Sequence, residues 1–148
     1  MKFSKKTRYG LRALVDLAVN SKSGHVSLTS IAQRNEISQQ YLEQIFSGLK
    51  RAGIVKSIKG NQGGYYLGKA SEEITLSSIV RALEGEFSLE AEELPSDAWA
   101  RKISRVIQSQ VIDRINEQTE LLLDDITLKD LEEEYMAEQD FEQDMYYI

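Results

Sequence analysis

Two short stretches of this 148-residue chain hold the side chains best suited to specific chemistry. The first, Ser38-Gln39-Gln40-Tyr41, continues through Glu43 and Gln44 and gathers hydrogen-bonding groups at a predicted helix start. The second, Lys59-Gly60-Asn61-Gln62-Gly63-Gly64, sets one cation and two amides among three glycines. A Gln amide offers a donor and an acceptor that match N6 and N7 of adenine, and a Glu carboxylate accepts from cytosine N4. Glycines let a backbone approach a phosphate or a narrow minor groove, where Lys59, Asn61 and Gln62 could reach in. Taken alone, Ser and Gln at a helix start serve equally well as solvated surface. A nucleotide-binding loop is disfavoured, because that chemistry needs glycines followed by a helix opening on Lys-Ser/Thr. Here Tyr65-Tyr66-Leu67 follows and reads as a strand.

Little else points to catalysis. The sequence has no cysteine, which excludes disulfides, thiolate metal sites, iron–sulfur clusters and cysteine nucleophiles. His25 is the single histidine; beside Gly24, it reads as solvated loop surface. No nucleophile–base pair can be named. Asp124-Asp125 and Glu132-Glu133-Glu134 are adjacent charges that a helix would point in different directions, so they read as solvated faces. No enzyme activity and no cofactor are expected.

The elements that position the two stretches follow from periodicity. Leu11, Leu14, Val15 and Ala18 make an i, i+3, i+4, i+7 stripe on a first helix from Lys5 to Asn20. Ser27 reads as the N-cap of a short second helix carrying Leu28, Ile31 and Ala32. Ser38 reads as the next N-cap, with Ile37 and Leu42 at the positions of a hydrophobic staple. Leu42, Ile45, Phe46 and Leu49 repeat the stripe, which turns residues 39, 40, 43 and 47 outward; Gly53 closes the helix. Two helices joined by a short turn make a helix-turn-helix. Strand-forming residues on both sides of the glycine loop then predict a β-hairpin. That order of elements is a winged helix, whose second helix enters the major groove.

Beyond it, Thr75 reads as the cap of a helix through Leu83, stopped by Gly85. Residues 86–97, with Glu90, Glu92, Glu93 and the only proline, read as a linker. A long helix from about Ser96 to Leu123 carries Trp99, Ile103, Val106, Ile107, Val111, Ile115 and Leu122. So long an apolar face at the end of a small domain predicts a second copy of the chain as partner, the alternative being a helix folded back on its own head. Thr127 reads as the cap of a last acidic helix. The fold expected is mainly α with a small β-hairpin: a winged helix-turn-helix over 1–85, the linker, and a helical dimerisation region with an acidic tail over 98–148.

Charge divides the chain in the same place. Residues 1–70 hold 12 Lys/Arg against 3 Asp/Glu, and residues 71–148 hold 6 against 21. Net charge −6 therefore conceals a head at +9, suited to a polyanion. Lys2, Lys5, Lys6 and Arg8, with Lys50 and Arg51, would supply phosphate contacts. No apolar run approaches the roughly 18–20 residues that cross a bilayer. Arg12 and Asp16 interrupt any signal-peptide core, so the cytoplasm is expected.

Three stretches, KKTRYGLRALVDLA, SLTSIAQRNEISQQYLEQIFSGLKRAGIVKSIKGNQGGYYLG and ITLSSIVRALEG, together resemble the Rrf-two family of bacterial winged-helix repressors. The likeness covers about residues 1–85, and Tyr41-Leu42-Glu43-Gln44 with Gly63-Gly64-Tyr65 makes it specific. It implies a homodimer on a pseudo-palindromic operator, with Ser38, Gln40, Glu43 and Gln44 in the major groove and Lys59 on the minor-groove wing. The family's wing usually has arginine where Lys59 stands and a proline within the glycine run. Its iron–sulfur members carry three clustered cysteines between head and long helix, where Glu86 to Arg101 has none, so cluster-based sensing is not implied. The chain is most similar to the cysteine-free branch, which represses cysteine and sulfur metabolism with cysteine synthase as co-repressor. That branch also shares a tail ending in aromatics and Tyr-Ile. The resemblance implies docking of Tyr146, Tyr147 and Ile148 into cysteine synthase by capture of a C-terminal carboxylate; the alternative is a tail packed on the partner subunit. Two rival functions stay open: a small-molecule effector bound between head and long helix, or a winged module that binds protein rather than DNA.

Overall fold

Side-chain caps set where the helices of the head begin. Ser4, Ser27, Ser38 and Thr75 each accept from the backbone N–H three residues on, at 3.1–3.2 Å. Each answers one amide that a helix start leaves unpaired. The computed structural model describes residues 1–146. In chain order it contains α1 (Lys5–Asn20), α2 (Leu28–Asn35), α3 (Gln39–Arg51), β1 (Val55–Ile58), β2 (Gly64–Leu67), a 3-10 turn (Ser71–Glu73) and α4 (Leu76–Glu84). There follow α5 (Ala98–Ile107), a π turn (Gln108–Ile112), α6 (Asp113–Asp125) and α7 (Leu128–Tyr146). The fold is the expected one, mainly helical with one antiparallel hairpin.

The head's core lies where α1, α2, α3, α4 and β1 meet. On α3 the expected stripe Leu42, Ile45, Phe46 and Leu49 is wholly buried. On α1 the buried sector is Thr7, Gly10, Ala13, Leu14, Leu17 and Ala18, offset from the expected Leu11, Leu14, Val15 and Ala18. The reason is Gly10: a Cβ there would come within 2.4 Å of Leu83 Cδ1, so its absence lets α4 close on α1. Leu11 and Val15 are left half-buried at the edge.

The hairpin pairs Val55 with Leu67, Lys56 with Tyr66, Ser57 with Tyr65 and Ile58 with Gly64. Val26, just before α2, adds a third backbone segment by exchanging two N–H···O bonds of 2.8 Å with Tyr65.

Asp97 caps α5 through the N–H groups of Trp99 and Ala100. From there α5, the π turn and α6 run as one unbroken helical rod. Apolar residues 103, 107, 111 and 115 recur every fourth position, which at about 100° per residue drifts ~40° around an α-helix at each step. A π turn winds less per residue and takes out part of that drift. Trp99, Ile103, Val106, Ile107, Val111 and Ile115 consequently remain on the rod, all of them exposed. The chain then returns to the head. Leu76 N–H donates to the Ile126 carbonyl and Leu128 N–H to the Ile74 carbonyl, both at 2.8 Å. Thr127 and Asp130 cap each other's amides to start α7. Leu128 is fully buried in the head's core, and α7 lies along α1.

Candidate nucleic-acid interface

A three-residue turn aims α3. Glu36 ends α2 in the left-handed conformation at φ 55°, and Ile37, buried, ties its N–H to the Ala32 carbonyl at 3.0 Å. Ser38 then caps α3, and Ser38, Gln39, Gln40, Glu43 and Gln44 all stand exposed on its first turns. Besides the Ser38 hydroxyl, two side chains of this turn, Gln39 and Tyr41, are engaged within the protein. Gln39 Oε1 accepts from the Thr29 hydroxyl at 3.1 Å, and the half-buried Tyr41 meets the Tyr9 ring edge-on at 5.8 Å. Gln40, Glu43 and Gln44 form the outward edge between them. Thr29 was not legible as part of this site, since a Thr in a short helix carries no signal of what it touches ten residues away.

The wing stands beside α3 as part of the same body. Tyr65, on its second strand, packs edge-on against Phe46 of α3 with ring centroids 4.9 Å apart. Lys59, Asn61 and Gln62 are exposed at its tip, and Gly60 sits at φ 122°. A Cβ on Gly63 would meet the Ile58 carbonyl oxygen at 2.4 Å, and one on Gly64 the Val26 carbonyl oxygen at 2.5 Å. Those glycines are needed for close approach rather than for flexibility. His25, read above as solvated surface, is exposed but has a partner: its Nε2 hydrogen-bonds the Gln62 carbonyl at the wing tip.

Cations border both elements. Lys2, Lys5 and Arg8 are exposed and Lys6 half-buried around the start of α1, while Lys50 and Arg51 close α3, where the helix dipole favours positive charge. Lys5 and Arg12 lie against the Tyr9 ring and Arg8 against Phe3, at 5.3–5.8 Å from the ring centroids. Arg34 pairs with Asp16 at 2.7 Å, and the hydrogen bond raises the guanidinium pKa further. That pair joins α1 to α2 and so steadies the frame behind α3.

Glu84, at the end of α4, caps the same basic region from inside. Its Oε1 accepts from the Ser4 N–H and the Thr7 hydroxyl, both at 2.6 Å. Burial pushes its pKa up, but these hydrogen bonds, with Lys2 nearby, outweigh burial and hold the carboxyl below its ordinary value.

The remaining predicted sites lie elsewhere. The apolar face of the α5–α6 rod is separate from the polar edge of α3 and the wing tip; Trp99 is 75% and Val106 55% exposed. A chain rarely leaves so much contiguous apolar surface to water. Tyr146 ends α7 fully open to solvent, and Tyr147 and Ile148 lie outside the described residues.

Comparison with known proteins agrees with this architecture. The profile of the Rrf2 (Rrf-two) family, described as iron-dependent transcriptional regulators, matches residues 3–134. The regulator CymR of Bacillus subtilis is 42% identical over 148 residues, all of both chains. IscR of Cereibacter sphaeroides is 49% identical over 86 residues, 57% of this chain and 56% of its own. The solved structure of CymR, the global cysteine regulator of B. subtilis, superposes with a TM-score of 0.75 over 90% of this chain and 97% of that one. T. potens IscR does so with a TM-score of 0.67 at 36% identity, over 91% and 88%. The family's iron does not fit the residues present here. The linker offers carboxylates but neither thiolate nor imidazole, Asp97 is spent on capping, and no group of three His, Cys, Asp or Glu among the described residues is placed to hold an ion. With a winged head, a glycine-tipped wing and a full-length match to a solved regulator, the chain belongs to the Rrf2 family of transcriptional regulators.

Proposed function

We propose that this regulator is a homodimeric repressor that reads a pseudo-palindromic operator in the cytoplasm and controls genes of cysteine and sulfur metabolism. The observation that carries it is the pairing of an exposed polar edge on α3 with a rigidly attached cationic wing, on a head whose charge is +9. Gln40, Glu43 and Gln44, with Ser38 at the helix start, face the major groove; Lys59, Asn61 and Gln62 face the minor groove; Lys2, Lys5, Lys6 and Arg8 bind phosphates. Residues 1–85 read DNA and the rod from residue 98 onward pairs the copies through its apolar face. Two-fold symmetry sets half-sites roughly 34–36 Å apart, or a multiple of that. The sulfur assignment rests on full-length likeness to a protein described as a global cysteine regulator and on the cysteine-free linker. Sequencing of DNA that co-purifies with the cross-linked protein tests it. Sites upstream of cysteine and sulfate genes are expected; scattered or iron-related sites refute it.

Tyr146, Tyr147 and Ile148 are the proposed dock for cysteine synthase as co-repressor. Calorimetry with Ile148 deleted should abolish the interaction, and undiminished binding removes the idea. One observation favours a second reading, in which a small molecule gates the same dimer. An open groove of about 1070 Å³ runs between α1 and α7 over Leu11, Val15, Val19, Leu131 and Tyr135. It lies against the last helix rather than the long one.

A further inference from the structure

The segment joining α4 to α5 has no regular structure, yet it is tied down along its length. At its start, Glu84 holds Ser4 and Thr7, the N-terminal ammonium donates to the Ser88 carbonyl at 3.1 Å, and Phe87 meets the Phe3 ring edge-on at 5.8 Å. The basic arm before α1 therefore lies along the first residues of the linker. Next, Leu89 presents both of its backbone groups to a single side chain on α6. Asn116 Oδ1 accepts from the Leu89 N–H at 2.8 Å, and Asn116 Nδ2 donates to the Leu89 carbonyl at 3.0 Å. The Asn amide carries both the donor and the acceptor of a backbone pairing in one neutral group. At the far end, Arg101 Nε donates to the Pro95 carbonyl at 3.0 Å.

We propose that Asn116 is a positioning residue that fixes the winged head at one angle on the long helix, so that the linker acts as a strut and sets the separation of the two recognition helices. The inference rests on the dimeric, DNA-binding reading above. Asn116 need not touch DNA: it acts through Leu89. A hinge would leave its backbone groups to water and make few contacts with its surroundings. Here the groups that a hinge must free are paired with a helix of the dimer body, and opening them would leave a half-buried donor and acceptor to be rehydrated together. Heads held by such struts tolerate one half-site spacing; heads released from them would accept half-sites a base pair nearer or farther.

The absence of cysteine permits a direct test, because Lys69→Cys places one nitroxide on an exposed point of each head. Electron–electron resonance on the full-length dimer should give one narrow distance distribution, and Asn116→Leu should make it about twofold broader by releasing the linker. Asn116→Asp keeps the size and the acceptor but loses the donor, and should fall between the two. In parallel, moving the half-sites by one base pair should cost the parent about tenfold in affinity and Asn116→Leu about twofold at most, with binding to an isolated half-site unchanged. Unchanged distance distributions in both variants overturn the proposal. A parent that binds no DNA sinks the repressor reading and leaves the spin-label distances to decide this one.

Discussion

At the scale of single residues, the division between reading and holding DNA is testable. Gln40 stands on the outward edge of α3, so Gln40→Ala should lose about tenfold on the operator, the worth of one good base contact, and almost nothing on random duplex. Lys6→Ala should weaken both alike, as a phosphate contact does. Competition titrations against both duplexes check the pair. Glu84 makes a prediction in pH. Its folded pKa lies below its ordinary value, so its contribution to stability is present above the ordinary carboxylate range and is lost as pH falls through the lowered value. Glu84→Gln imitates the protonated form. It should cost about 1 kcal/mol at neutral pH, after discounting charged hydrogen bonds for partial exposure, and nothing in strong acid. Chemical denaturation of both proteins across pH measures the convergence.

At the scale of elements, the wing is a braced lever. Its second strand is sewn to Val26 by two backbone hydrogen bonds at Tyr65, the Tyr65 ring leans on Phe46, and its tip carbonyl at Gln62 is held by His25. Gly64→Ala would drive a Cβ to 2.5 Å from the Val26 carbonyl oxygen, which is backbone and cannot step aside. The variant should lose about 1–3 kcal/mol in thermal unfolding and, with the wing displaced, lose minor-groove discrimination before major-groove discrimination. Footprinting separates the two grooves. The periodicity of α3 and the glycine-tipped hairpin were legible in the sequence because both signals are local. The brace from His25 was not: a histidine in a loop looks the same whether water or a carbonyl 37 residues later is its partner.

At the scale of the whole molecule, charge and apolar surface are segregated. In the proposed function, the positive head meets a polyanion while the rod's apolar face meets a second copy. If about eight phosphates are neutralised per dimer, log affinity should fall with log salt at a slope near −7. Val106, on the rod's open face, offers the complementary test. Val106→Glu places a charge where two apolar faces meet and should give monomers in sedimentation with an intact circular dichroism spectrum. Affinity for the two-half-site operator should fall by about 100-fold or more as avidity is lost, with a single half-site unaffected.

The amino-acid sequence alone determined the caps at Ser27, Ser38 and Thr75, the buried stripe of α3, the hairpin, the charge division and the absence of thiolates. Each is a matter of residue type or of neighbours within about four positions, where backbone geometry leaves few choices. Tertiary structure decided the rest. It turned the buried face of α1 toward Gly10 because α4 could come close there. It brought Ile126 and Leu128 back onto Ile74 and Leu76, seating α7 on the head, and it gave Leu89 its partner in Asn116. Those pairings join residues far apart in the chain, and one backbone amide looks like another until packing chooses which two meet.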